Sequence, residues 1–140
     1  MRARSRARGW ALQILYAWES RGDETTANAV LNDFEQERQI AEESREYIRS
    51  LVGLVANNRD NIDRELEHSL TNWRLDRLSV IDRNILRLAA AELLYEDDVP
   101  APVAIQEAIM LAEKYGTNES PRFVNGVLDA LRKSIELGKA

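Results

Sequence analysis

Apolar residues recur every three or four positions along almost the whole chain, and no other feature limits the possible folds so tightly. Trp10, Ala11, Ile14, Leu15 and Trp18 share one broad helical face. Gly22-Asp23 ends that helix, and Thr25 or Thr26 caps a short second one with Ala27, Val30, Leu31 and Phe34 inward. A long third segment over about 41–70 reads as one extended or slightly broken helix. Its inward positions are Tyr47, Ile48, Leu51, Val52, Val55, Ile62, Leu66 and Leu70.

The stretch SLTNWRLDRL around Trp73 lacks a long period and reads as a buried connection, with Thr71-Asn72 as stop and cap residues. VIDRNILRLAAAELLYE is the most apolar and alanine-rich helix, expected at the centre of the fold. Pro100 and Pro102 break the pattern, since proline lacks a donor and disfavours helix in the residue before it. A fifth helix runs from Val103 to Tyr115 and ends at Gly116. Ser120-Pro121 starts a sixth, with serine as cap and proline in the first turn.

With only three prolines and six glycines in 140 residues, an all-β reading has little turn material. The expectation is a single all-α domain of six or seven helices. Arg8-Gly-Trp-Ala-Leu-Gln-Ile-Leu-Tyr16 echoes Arg87-Leu-Ala-Ala-Ala-Glu-Leu-Leu-Tyr95, which hints at two related three-helix halves.

Charge is distributed unevenly. Residues 1–9 hold four arginines and no acid, so the other 131 sum to −9 against a net charge of −5. Arginine at a helix N-terminus meets the positive end of the macrodipole and costs about 0.3–1 kcal/mol each. Helix stability therefore does not account for Arg2, Arg4, Arg6 and Arg8. A flexible arm that orders on a polyanion does, because guanidinium forks pair with phosphate and stack on bases. Tyr16, two turns beyond Arg8, offers a ring to an unstacked base, which suits single-stranded RNA. A solubilising tail with Tyr16 in the core is the plainer alternative.

The chain carries few groups for catalysis or metal binding. It has no cysteine, and His68 is its only histidine, set in a polar helical stretch as a solvated surface residue. Zinc ligands are almost lacking, and neither GxGxxG nor GxxxxGK[ST] occurs. Glu42-Glu43 and Glu96-Asp97-Asp98 are simpler as helix-end and turn charges than as an acid/base pair. No apolar run approaches a membrane span. Acids at Glu19, Asp23 and Glu24 follow the arginines too soon for a signal peptide, although an Arg-rich mitochondrial presequence stays open. The expected setting is the cytoplasm, with neither enzyme activity nor cofactor. Gly126, inside a strong helix, implies either close packing of another helix or a ligand near the backbone beside Asn125.

From FVNGVLD (Phe123–Asp129) the chain resembles the NusB family of transcription antitermination factors. The likeness spans nearly all of it: ARGWALQILYAWE near the start, RLDRLSVIDRNILRLAAAELLY at 74–95, DVPAPVAIQEAIMLAEKYG at 98–116 and SPRFVNGVLDAL at 120–131. Residues 20–70 carry little of it.

The resemblance implies two three-helix bundles, divided into an arm at 1–8, a half at about 9–70 and a half at about 71–140. It implies binding of boxA-type RNA from ribosomal RNA operon leaders together with the ribosomal protein NusE. NusA, NusG and RNA polymerase would then complete an antitermination complex. By resemblance, the RNA surface comprises Arg2, Arg4, Arg6, Arg8 and Tyr16, with Glu119, Arg122, Phe123 and Asn125 from the last helix. The NusE surface falls at Asp82 and Arg83. Many relatives have contiguous basic residues where these arginines alternate with Ala and Ser, which implies weaker RNA binding without the partner. Two alternatives remain: an accessory domain related to rRNA cytosine methyltransferases, which needs a glycine-rich cofactor domain not found within residues 1–140, and a homo-oligomeric helical interaction protein, such as a homodimer.

Overall fold

The computed structural model describes residues 2–22 and 25–139, with the backbone alone for Arg2 and Lys139. Six helices follow in order: α1 (Arg2–Arg21), α2 (Ala27–Glu37), α3 (Glu42–Ser69), α4 (Val80–Tyr95), α5 (Ala101–Tyr115) and α6 (Ser120–Lys139). A single 3-10 turn, Leu75–Arg77, lies between α3 and α4, and among the described residues there is no strand.

Local chemistry sets the helix ends. Gly22 closes α1 with φ +78°, a left-handed conformation that glycine adopts without penalty; Asp23, expected to share that stop, lies outside the described residues. Thr26 caps α2 by accepting from the Ala29 N–H at 3.1 Å, and Ser79 caps α4 by accepting from the Asp82 N–H at 3.1 Å. α3 is continuous except at Asn58, where φ −125° and ψ 18° put a kink and the side-chain amide donates to Leu54 O. α5 begins at Ala101, earlier than the prolines suggest, because Pro102 falls in the first turn where no N–H is needed.

The expected serine cap of α6 takes another form. Ser120 is itself the first helical residue, and its hydroxyl accepts from the Thr117 N–H at 3.0 Å. That hydroxyl would lie 2.5 Å from a Cβ at position 116, so the turn between α5 and α6 admits only glycine there.

α1, α2 and α3 pack on one another, as do α4, α5 and α6; α1 and α3 join the two sets by packing on α4. Every residue from Asn84 to Glu92 is buried, which makes α4 the central helix that its alanine-rich sequence implies. Its Ile85, Leu86 and Ala90 share the core with Ile14 and Leu15 of α1 and Leu51 and Val55 of α3. Burial of each large aliphatic side chain contributes about 1.5–3 kcal/mol.

Candidate nucleic-acid interface

The four N-terminal arginines meet different fates. The first correction concerns the arm, which is the first two turns of α1 and is helical from Arg2 onward. The Arg2 side chain lies outside the described residues. Arg4 donates to Asp98 at 3.0 Å and stands 4.4 Å over the Tyr47 ring. Its hydrogen bond is the main reason the Asp98 carboxyl is held below its ordinary value. Arg6 points outward, 60% exposed, with Glu43 at 3.9 Å.

Arg8 corrects the expectation more sharply, because it is only 3% exposed and cannot face RNA. Its Nε donates to both oxygens of Glu92 (3.0 and 2.9 Å), and Nη1 donates to Glu107 at 2.9 Å. The Tyr47 hydroxyl also donates to Glu92. Burial pushes the Tyr47 hydroxyl upward, and its bond to the carboxylate adds to this. For Arg8, burial works against the charge, but the bonds to Glu92 outweigh it and the proton is held more tightly than usual. Arg8 thus joins α1 to α4 and α5 from inside.

Arg83, expected to face a protein partner, is also turned inward. It pairs with Glu19 and donates through Nη1 to the carbonyls of Leu75 (3.2 Å) and Leu78 (2.8 Å). Arg87 completes this second cluster, donating to Glu19 at 2.8 Å and to Asp63 at 2.9 and 3.0 Å. Burial alone would raise the Glu19 carboxyl; the two guanidinium groups outweigh it and hold it below its ordinary value. The two arginines that head the internal echo, Arg8 and Arg87, therefore both become buried ion-pair centres. Asp82 is half-buried beside Arg83, and its Oδ1 is out of solvent without a protein partner.

The exposed side of these elements carries two pairs of connected grooves. The first, about 420 Å³, runs between α1 and α5 and is lined by Arg6, Trp10, Gln13, Met110, Lys114 and Tyr115 among others. Gln13 and Tyr115 continue into a second, where Tyr16, 44% exposed, stands near Phe34 and Ile81. Asp82, next to Ile81 on α4, lines a third with Arg77, Thr117, Trp73 and Phe123. Trp73, Glu119 and Phe123 then lead into a fourth, about 670 Å³, with Arg122 and Gly126.

Glu119, Arg122 and Phe123 are thus brought together, whereas Asn125 is exposed but lines none of these grooves. Gly126 is exposed, and a Cβ there would meet nothing within 4 Å, so the close-helix explanation for it fails. Trp73 is the largest miss. It was expected inside a buried connection, yet it is 60% exposed and packs edge-to-face on Phe123 at 6.3 Å. Only Leu75 of that segment is a core residue. Its lack of period was the available signal, since a segment with no apolar repeat has no face to bury. Gln13 on α1 and Lys114 and Tyr115 on α5 were missed because both helices read as ordinary amphipathic helices. His68 is exposed on α3.

Surfaces of this kind combine rings with cations, the composition that single-stranded nucleic acid requires. Comparisons with known proteins place the chain in a family. The NusB family model matches residues 5–133. A transcription antitermination protein NusB from Trichlorobacter lovleyi is 41% identical over 131 residues, covering 94% of this chain and 91% of that protein. Its counterpart from Chloroherpeton thalassium is 37% identical over 135 residues and 96% of this chain, which spans 63% of that longer protein. A crystal structure of antitermination factors NusB and NusE in complex with double-stranded RNA contains a chain 31% identical to this one. Its TM-score is 0.85, with 96% of this chain and 98% of that one covered. With one family model matching nearly the whole chain and the same helical arrangement in a solved relative, the chain belongs to the NusB family.

Proposed function

We propose that the protein is a transcription antitermination factor. It binds boxA-type RNA of ribosomal RNA operon leaders together with the ribosomal protein NusE, and so promotes processive rRNA transcription. One observation carries this reading: a face whose grooves are lined by rings together with cations, Trp10, Tyr16 and Tyr115 with Arg6 and Lys114 in one connected pair, and Trp73 and Phe123 with Arg77 and Arg122 in the other. Charged forks fix phosphates while rings stack bases, and neither needs a catalytic group. The relative solved with NusE and RNA supports the choice of partners.

Within that face Arg6, Tyr16, Arg122 and Phe123 contact RNA directly, with Glu119 and Asn125 beside them. Arg4 adds a phosphate contact when it leaves Asp98, and Arg2 stands one turn from Arg6 on the same helix. Arg8 supports the site from beneath. NusE docks at the start of α4 beside Asp82, whose helix Arg83 anchors. The assembly then joins NusA, NusG and RNA polymerase in the cytoplasm. Among the described residues no helix is long and apolar enough to cross a membrane.

The test is a titration of the protein, alone and with NusE, against boxA-type single-stranded RNA, a scrambled strand and a duplex. Selective binding of the boxA strand, tightened by NusE, is the expected result. Equal affinity for all three RNAs with NusE present would overturn the reading. Light scattering distinguishes the homodimer, which would persist when NusE is added.

A further inference from the structure

Two grooves meet at the Trp73–Phe123 pair, and each holds one arginine: Arg122 on the larger side and Arg77 on the other. The neighbouring Arg74 is engaged by Asp76 at 3.1 Å, but among the described residues neither Arg77 nor Arg122 makes an ion pair. Trp73 leaves 60% of its surface in solvent on a segment that contributes only Leu75 to the core. Phe123 is half-buried and fixes the indole edge-to-face at 6.3 Å and 78°. An exposed tryptophan held by a second ring, with an unpaired guanidinium on each side, is more than the fold needs.

We infer that Trp73 is a base-stacking residue for single-stranded RNA, with Arg77 and Arg122 taking the phosphates on either side of the stacked base. This rests on the RNA-binding reading above and deepens it by adding Trp73 and Arg77, neither of which the family resemblance supplies. Indole is the largest π-face among side chains, and stacking on it is tolerant of base identity. The guanidinium groups fit phosphate as bidentate forks.

The experiment measures binding of labelled boxA-type and scrambled single strands by wild type, W73A, W73F, R77A and R122A, with NusE affinity and thermal melting run in parallel. W73A is expected to bind both RNAs about 5- to 150-fold more weakly, the range for loss of one stacked base, while W73F retains most of the affinity. R77A and R122A each reduce the slope of log affinity against log salt by about 0.7. Melting and NusE affinity stay at wild-type values. RNA affinity unchanged in W73A overturns the inference, as does loss of NusE affinity instead of RNA affinity. If wild type fails to prefer boxA but W73A weakens both strands, the stacking role stands and the boxA reading falls. If wild type binds no RNA, both fall.

Discussion

Arg8 and Arg122 are the same residue type in opposite situations. Arg8 is enclosed by Glu92, Glu107 and Tyr47, two carboxylates and a ring face that answer its charge. Arg122 stands exposed at the edge of a groove with no acid within ion-pair distance among the described residues. The contrast shows that a cluster of arginines in sequence does not locate a binding surface. What locates it is which of them lack partners once the chain has folded. Of the N-terminal four, the structure buries Arg8, engages Arg4 with Asp98 and leaves Arg6 outward.

The contrast breaks most decisively at Arg8. Arg8→Ala leaves Glu92, 2% exposed, as a buried charge answered only by the Tyr47 hydroxyl. The expected loss is about 3–5 kcal/mol by urea unfolding, a large share of a small domain's stability. Arg8→Ala that unfolds at the wild-type midpoint yet loses RNA would return Arg8 to the binding face and erase the distinction. In the second cluster, Glu19→Gln is expected to cost about 1–3 kcal/mol near neutral pH, because it weakens bonds to two guanidinium groups. Here the folded-state carboxyl lies below its ordinary value near 4.5. Its stabilisation is therefore complete above that value and lost as pH falls through the lowered one. The gap between wild type and Glu19→Gln should close on acidification; a gap constant with pH would mean that charge is not what Glu19 contributes.

Gly126→Ala sharpens the exposed side. No atom stands within 4 Å of the new Cβ, so the helix gains about 0.5–1 kcal/mol in thermal or urea unfolding. RNA affinity is expected to fall, since the methyl group adds to the lining of the groove that Trp73 also lines. A variant that is both more stable and equally tight would leave the glycine with no role in binding.

The helices were legible from the sequence because apolar spacing and caps are local: Thr26, the inward face of α2 and the centrality of α4 all follow from residues within a few turns. The ion clusters were not legible, because Arg8 meets Glu92 and Glu107 across 84 and 99 positions. Alternating arginines at a chain start look alike whether their partners are phosphates or distant glutamates. The helix-dipole cost does not apply to Arg8, because α1 already begins at Arg2 and the effect fades within the first turn; what holds Arg8 lies in α4 and α5. Trp73 was misjudged because an aromatic residue defaults to the core, although its segment lacks a long apolar period. Glu119, Arg122 and Phe123 came from family likeness and fall in one groove because Glu119 in the preceding turn stands three and four positions before Arg122 and Phe123 at the start of α6. Lys114 and Tyr115 join the surface only through tertiary packing of α5 on α1.

The smallest effect separates Arg4 from Arg6. Arg6 and Glu43 are 60% and 67% exposed with 3.9 Å between them, so Arg6→Ala should change stability by less than about 0.5 kcal/mol. Its removal should nevertheless flatten the salt dependence of RNA binding by about 0.7, one phosphate's worth, because the side chain is free to turn toward a strand in the α1–α5 groove. Arg4→Ala should show a smaller change in slope, since Arg4 must first leave both Asp98 and the Tyr47 ring to reach a phosphate. Equal slopes for the two variants would mean that pairing within the protein does not withhold a surface arginine from RNA. Only burial, as at Arg8, would then divide structural arginines from binding ones.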